Sequence, residues 1–266
     1  MSLYNDYTNQ KSRSLAKLTV IIPTLNEESN IQRALDSVFF ADEIIVIDSF
    51  SADRTVEIVR NNNIRLIQRT FDDFSSQKNF AIQQASHDWV LLVDADEEVT
   101  PRLQKEIRST LSKTTEMVAY TCIRRNFVRK KKLKFGGHTN KIIRLIRKDR
   151  CTYHGLVHEK IHADGPVGAL KGVLNHYTYK SFPQFKDKIE HYAVLRAKEL
   201  IQKKPVVGFF HLYIKPLARF CIHYFLKLGF LDGREGFVFS YAMAYGVQQR
   251  FKELEELIAT KNESRI

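Results

Sequence analysis

Four short, β-branched runs separated by helix-period stretches constrain this chain more than any other feature. Leu18 to Pro23, Glu43 to Asp48, Ile64 to Ile67 and Val90 to Val93 are apolar through their centres and too short for helices. They read as buried strands. Between them, Ser29 to Phe39 repeats apolar residues at Ile31, Ala34, Leu35 and Val38. Arg54 to Asn61 follows a capping Asp53, and Ser75 to Ala85 carries Phe80, Ala81 and Ala85. These stretches read as helices. The β-α-β-α-β-α-β alternation predicts a mostly parallel sheet with helices on both faces. Pro23 is expected to end the first strand, because proline cannot donate to a central ladder. Three strand ends are polar: Thr24 to Glu27, Asp48-Ser49, and Asp94 to Asp96. In a parallel sheet they converge on one rim, where open α/β sheets bind ligands.

The last of these ends is the richest. Val93 is followed by Asp94-Ala95-Asp96-Glu97-Glu98, a cluster of four carboxylates. If the strand persisted, Asp94 and Asp96 would point to one side. Clustered carboxylates repel, and a divalent cation relieves the repulsion. Hard oxygen ligands suit Mg²⁺ or Mn²⁺, and a diphosphate would complete the shell. A plainer role competes: acids after a strand often cap the next helix. Thr100-Pro101 has the form of an N-cap followed by proline at the first helical position. A calcium loop is disfavoured by Val99, where the sharp-turn glycine belongs, and by Lys105, where the closing glutamate belongs. An aspartyl-phosphate phosphatase also uses Asp-x-Asp and stands as a competitor. No Gly-x-Gly-x-x-Gly follows the first strand and no Walker A is present, which disfavours nicotinamide dinucleotide and P-loop sites.

At 266 residues the chain has room for one large domain, or one domain plus an appendage. A formal net charge of +12 points to acidic partners: nucleotide phosphates, nucleic acid or an anionic membrane surface. Cys122, Cys151 and Cys221 are odd in number and widely spaced, with no metal-ligand signature, which suggests a reducing compartment. Met1 to Ser14 is polar, lacks an apolar signal core and is expected to fray.

Particular motifs carry a resemblance. Val20-Ile21-Ile22-Pro23-Thr24-Leu25-Asn26-Glu27-Glu28 resembles the opening strand and loop of family 2 glycosyltransferases of the GT-A fold. Ile45 to Thr55 resembles their second motif, Gln77-Lys78-Asn79-Phe80-Ala81 the helix before the Asp-x-Asp, and Asp94-Ala95-Asp96 the metal and sugar-nucleotide motif. Within the family the spacing is most similar to lipopolysaccharide core glucosyltransferases acting on an inner-core heptose. Asp88-Trp89-Val90-Leu91, Asp94-Ala95-Asp96-Glu97 and His158-Glu159 carry that narrower likeness.

The resemblance implies that Pro23, Thr24, Asn26 and Glu27 frame the base and ribose of a nucleotide-diphosphate sugar, expected to be a UDP-sugar. Asp48 would accept a hydrogen bond from the base, with Ser49 beside it. Lys78 would lie near the base or diphosphate, with Gln77 orienting it. Asp94, next to Ala95, would touch ribose or sugar hydroxyls, and Asp96 would bind Mg²⁺ or Mn²⁺. Asn26 also suits a plain turn, and Lys78 a solvated helix face. The chain departs from the family where Phe50 and Ala52 replace the usual Gly and Thr. Phe50 is a poor residue for positive φ, so that loop is expected to differ in shape.

After a helix from Pro101 to about Leu111 and a strand over Val118 to Ile123, the charge changes abruptly. From Arg124 to Arg150 there are twelve Lys or Arg against one acid, Asp149, nearly the whole net charge. An excess this large points to an anionic partner. The segment shows no helix-turn-helix, zinc finger or aromatic RNA-reading motif, so nucleic acid is disfavoured. Anionic lipid headgroups or a phosphorylated glycan acceptor fit the resemblance better. A non-catalytic anion-binding protein using residues 124–150 is the alternative. Beyond it, Cys151 to Glu159 packs His154, His158 and Glu159 closely. Inverting transfer needs a base to deprotonate the acceptor hydroxyl. Glu159 is assigned that role, with Glu97 and Glu98 as rivals. His158 would orient Glu159, contact a phosphate or add a metal ligand. His176 is placed to close over the diphosphate.

From Ser181 the composition shifts. Phe185 to Gln202 reads as an amphipathic helix. Val206 to Leu231 is rich in Phe, Tyr, Leu and Ile, interrupted by Lys215, Arg219 and Lys227, with a kink at Pro216. Those charges rule out a spanning helix and leave two readings: an interfacial helix, or a helical subdomain packed on the sheet. Gly229 to Gly236 reads as a turn cluster and Phe237 to Ile258 as a last helix. The expected organisation is a tail over 1–16, a GT-A domain over 17–180 and a helical C-terminal extension over 181–266. The expected activity is metal-dependent inverting hexosyl transfer to a cell-envelope acceptor, in the cytoplasm or on the inner membrane face.

Overall fold

The computed structural model of the protein describes residues 16–128, 131–137, 139–155, 160–179, 182–203 and 206–263. The first half runs β1 (Leu18–Thr24), α1 (Ile31–Asp36), β2 (Glu43–Asp48), α2 (Thr55–Asn61), β3 (Arg65–Gln68), α3 (Phe74–Gln83), β4 (Trp89–Leu92), β5 (Glu97–Val99) and α4 (Pro101–Leu111). The second half adds β6 (Ala119–Val128), β7 (Lys131–Lys132), β8 (Thr139–Arg147), β9 (Cys151–His154), β10 (Lys160–Ala163) and β11 (Val167–Tyr179). Helices follow: α5 (Phe182–Leu200), α6 (Lys215–Cys221) and α7 (Arg234–Glu263).

Among the described residues one large sheet has the order β3-β2-β1-β4-β8-β6-β11-β5, with β7 on β6; β9 and β10 form a separate hairpin. The β3-β2-β1-β4 half is parallel, and β8 joins it antiparallel to β4. Alternation along each central strand serves two cores. Val20, Ile22, Val46, Leu91 and Val93 face α1 and α4 through Ile31, Leu35, Leu103 and Ile107. Ile21, Ile45, Ile47, Val90 and Leu92 face α3 through Ala81 and Ile82. Burial on both faces is why these strands read as continuous apolar runs rather than as alternating ones.

Pro23 does not end β1, which continues to Thr24 and pairs Pro23 with Ile47 of β2. The β1–β4 ladder stops at Ile21 opposite Leu92, with Val93 N–H donated to the Ile21 carbonyl. The proline nitrogen, two residues on, faces the side where β4 has already turned away, so no ladder bond is lost. Pro216 sits in the first turn of α6, where a missing N–H is tolerated, and α6 is flanked by π-helical turns at Phe210–Ile214 and Ile222–Leu226. The turn cluster is short: a 3₁₀ turn over Gly229–Asp232 leads directly into α7.

Candidate active site

The strand order puts β1 between β2 and β4, so the C-terminal ends of all three lie side by side on one rim. The chain leaves β1 toward β2 and β3, then crosses back to β4. This switch of direction opens a crevice at the strand ends, the position at which doubly wound sheets bind ligands.

The β1 and β2 loops are stitched into one unit. Asn26 N–H donates to Ser51 Oγ (2.8 Å), and Ala52 N–H donates to Asn26 Oδ1 (2.8 Å). Glu27 N–H reaches Thr55 Oγ1 (2.9 Å), and Glu28 N–H reaches Asp53 Oδ2 (3.0 Å). Asp48 is fully buried; its carboxylate accepts from Ser51 N–H and Gln68 Nε2, both at 3.0 Å, and from Ser51 Oγ at 2.5 Å. Asp48 therefore organises the loop from below. This network overturns the expectation for Phe50, which does adopt positive φ, at 61°, alongside Asn26 at 54°. A non-glycine residue there costs roughly 1–2 kcal/mol. The hydrogen bonds on either side over-determine the conformation and outweigh that cost. They leave Phe50 56% exposed, and Leu25 in the first loop is half-exposed.

Helix α3 forms the opposite wall. Asp73 caps it by accepting from Ser76 N–H (2.8 Å). Gln77, buried, donates from Nε2 to Ser49 Oγ (2.7 Å), so the helix is tied to the β2 end. Lys78 is buried as well, its Nζ 3.9 Å from Asp94 Oδ1. Asn79 clamps β9 by exchanging both of its amide hydrogen bonds with the Tyr153 backbone, each at 2.9 Å. His154 thus lies beside the site, opposite Lys160 in the hairpin. His158 and Glu159, which the sequence reading assigned to the site, lie outside the described residues.

The acidic cluster does not continue the strand. β4 stops at Leu92, and Glu97 N–H closes a turn onto the Asp94 carbonyl (2.8 Å). The two aspartates engage different partners, while Asp96 stays near enough to act on the Asp94 carboxyl. Asp94 meets Arg144 Nη2 through Oδ2 (2.5 Å), and Asp96 meets His176 Nε2 through Oδ2 (3.3 Å). The acids do not cap α4 either; that is done by Thr100, whose Oγ1 faces Leu103 N–H, while Glu97 opens the intervening β5. Ala95, buried, packs its methyl into the core beneath the turn.

Arg144 is the residue that sequence reasoning missed. It lies 6% exposed on β8, its Nη2 shared between Asp94 and Glu97 Oε1 (2.8 Å), while Arg124 approaches Glu97 at 3.9 Å. The basic run hid it, although Ile142-Ile143-Arg144-Leu145-Ile146 is an apolar strand with one cation inside. Burial raises the Asp94 carboxyl, but Arg144 and then Lys78 outweigh it and hold the group well below the usual carboxylate range. For fully buried Glu97 burial wins over Arg144, and its carboxyl is pushed up. Glu98 accepts from Tyr177 Oη (2.5 Å) and Asn175 Nδ2 (3.2 Å). Cys122 and Cys151 offer no nucleophile: burial pushes the first up to about 12 and the second to about 11.

Asp96 and His176 fit a divalent cation. His176 Nδ1 is held by Asn126 Oδ1 (2.8 Å), and Tyr177 N–H fixes the Asp96 carbonyl (2.8 Å). With Nδ1–H donated to Asn126, Nε2 faces a carboxylate oxygen across 3.3 Å. A shared cation or proton satisfies that approach, and a second hydrogen bond orienting the far ring nitrogen is usual for metal-ligating histidines. An imidazole plus a carboxylate suits Mn²⁺. Among the described residues no group of three or more His, Cys, Asp or Glu is placed to hold a metal, so the remaining positions would fall to substrate oxygens.

The sheet that carries this rim, its switch point and its acidic turn has the GT-A fold. The same fold is found in the mannosyltransferase PcManGT from Pyrobaculum calidifontis, solved in complex with GDP-Man and Mn²⁺. That structure is 15% identical, with a TM-score of 0.52 over 91% of this chain and 88% of that one. Residues 19–162 match the model of Glycosyl transferase family 2, and the chain belongs to that family. An uncharacterized glycosyltransferase of Rickettsia typhi is 30% identical over 257 residues, covering 91% of this chain and 88% of that one. The lipopolysaccharide core biosynthesis glycosyltransferase LpsC of Rhizobium meliloti is 27% identical over 253 residues, covering 88% and 92%.

Proposed function

We propose that this glycosyltransferase is metal-dependent and inverting, moving a hexose from a nucleotide-diphosphate sugar, with UDP as the preferred nucleotide, to a glycan or lipid-linked acceptor of the cell envelope. The observation that carries the reading is the juxtaposition of the β1, β2 and β4 ends with the Asp96–His176 pair. Thr24, Asn26, Glu27 and Ser49 line the nucleotide side, with Pro23 and Asp48 shaping the loop. Gln77 holds Lys78 toward the Asp94 turn, and Asp96 with His176 faces the diphosphate. When bound, a divalent cation supplies neutralisation of the departing diphosphate. The buried cations Lys78 and Arg144 hold that turn in place through the Asp94 and Glu97 carboxylates.

Glu159 is our choice of base, and the commitments of its rivals support it. Glu97 is enclosed with Arg144, and Glu98 is engaged by Tyr177 and Asn175. An envelope acceptor agrees with the name of the LpsC relative, and an acceptor in a bilayer would place the reaction at an anionic membrane surface. The competing role as a nucleic-acid or passive anion binder loses ground because Arg144 and Arg124, from the most basic segment, turn inward to carboxylates.

Isothermal titration tests the reading. UDP is expected to bind only weakly without Mn²⁺ and at least tenfold more tightly with it, and Asp96→Ala is expected to abolish the difference. His176→Ala should reduce it. UDP binding that ignores both Mn²⁺ and Asp96→Ala would overturn the proposal.

A further inference from the structure

The C-terminal helix pair turns an apolar stripe the wrong way for a core. From Val206 to Leu231 the exposed side chains include Phe209, Phe210, Tyr213, Leu217, Phe225 and Leu226. Phe209 is 69% exposed and Leu226 78%. With the exposed Ile214 and Ile222 between them, Phe210, Leu217 and Leu226 recur at intervals of three to five residues along a segment that mixes α- and π-helical turns, so exposed apolar side chains follow one another along it. The inward face is already supplied: Pro216 and His223 are buried, and the His223 ring packs against Phe239 of α7. Isolated exposed apolar residues are ordinary, but a continuous aromatic stripe of this length marks an interaction surface.

Charge identifies the occupant. From 206 to 231 the chain holds Lys215, Arg219 and Lys227 and no Asp or Glu. A second cationic element is fixed to the same place. Lys134 and Phe135 donate their backbone N–H groups to the Asp232 carboxylate at 3.0 and 2.8 Å. Gly136 N–H donates to the Lys227 carbonyl at 2.7 Å. The 131–137 loop is therefore fixed to the Lys227–Asp232 end of this segment and leaves Lys132 and Lys134 exposed. A two-fold contact between copies would set these cations against one another. An anionic lipid surface complements both the aromatics and the cations. Among the described residues no helix is long and apolar enough to cross a membrane, so the stripe would lie on the surface.

We propose that this face, the 206–231 stripe with the 131–137 loop, docks the enzyme on an anionic bilayer. The inference rests on the lipid-linked acceptor proposed above and names the surface that would meet it. Strand β6 connects the two places: Arg124 and Asn126 reach Glu97 and His176, and the strand then leads toward the docked loop. Docking would therefore set the catalytic rim at a fixed position over the headgroups.

Vesicle flotation of the full chain tests this. Binding is expected to phosphatidylcholine vesicles carrying about one-third phosphatidylglycerol, with little binding to phosphatidylcholine alone and a decline with added salt. Phe209→Ser with Leu226→Ser should reduce partitioning about tenfold or more. Lys132→Ser with Lys134→Ser should reduce it roughly fivefold per lysine at low salt. Mn²⁺-dependent UDP binding should be unchanged in both variants, which also shows that they fold. Equal, weak binding to the two vesicle types would overturn the proposal. So would a dimer in solution that the Phe209→Ser, Leu226→Ser variant dissociates, because a second copy would then cover the stripe. Anionic-vesicle binding by a chain that fails to bind UDP would uphold the docking face while removing the nucleotide-sugar reading.

Discussion

Replacing Arg144 by leucine removes the cation around which the acidic turn is built. Its side chain is 7% exposed, 2.5 Å from Asp94 and 2.8 Å from Glu97. Breaking a buried ion pair by deleting one partner costs about 3–5 kcal/mol, because the other charge is left uncompensated. Here two carboxylates lose their nearest cation and keep only Lys78 and Arg124, each at 3.9 Å, and the fully buried one, Glu97, already has its carboxyl pushed up by burial. Without Arg144 it rises further, so folding of the variant takes up a proton. The sign follows. A carboxyl raised in the folded state lowers stability above its unfolded pKa, and that penalty shrinks as pH falls through the folded value. Arg144→Leu should therefore cost about 3–5 kcal/mol at pH 8 and regain up to about 1.4 kcal/mol per pH unit on acidification toward pH 5. Urea unfolding followed by the fluorescence of Trp89, the single tryptophan, reports this directly. Arg144→Lys should recover only part, since a point charge cannot serve both acceptors in the same geometry. Adding Glu97→Gln should cost less than the sum of the two single changes. A pH-independent loss under about 1 kcal/mol would refute the account of the cluster.

Further perturbations test other parts. Phe50→Gly should leave stability unchanged or raise it by up to about 1 kcal/mol, as relief of the left-handed backbone offsets glycine's extra freedom, whereas Phe50→Ala should show no such relief. Thermal unfolding checks this, and a loss above about 1 kcal/mol on Phe50→Gly would mean that the ring itself holds the loop. Asp232→Ala should cost about 1–3 kcal/mol by stranding the Lys134 and Phe135 N–H groups, and hydrogen exchange should speed up at both amides. In the unmutated chain Asp42 and Glu43 are held below their ordinary values. Burial opposes this, and it is outweighed for Asp42 by the Leu18 N–H and Arg108, and for Glu43 by Thr19 and Ser86. With Asp94 they add stability that is present above about pH 4 and lost as pH falls further, so the urea midpoint should drop steeply on acidification there.

Much of the fold was legible in one dimension because it is written in local pattern. The four strands, their intervening helices and the acids at the strand ends follow from periodicity and from burial on two faces. The β2 strand was read residue for residue, and Thr100-Pro101 was read as the start of α4. The errors are equally local in cause. Pro23 stays in β1 because β4 stops short beside it, a fact about a neighbour and not about proline. Phe50 accepts positive φ because Asp48, Ser51, Asn26 and Ala52 close around it from two loops.

The site divides along the same line. Residue order alone determined that three polar strand ends exist and that Asp94 and Asp96 stand two apart, because covalent spacing carries both. It could not determine that β4 would turn at Leu92 and send the two aspartates to different partners. Arg144 and His176 arrive from 50 and 80 residues downstream of their partners Asp94 and Asp96. Only the antiparallel return of β8 against β4, and of β11 against β5, brings those side chains within reach. Periodicity registers which face a residue takes; which charges meet across a sheet depends on strand order, and strand order is decided by packing of the whole chain.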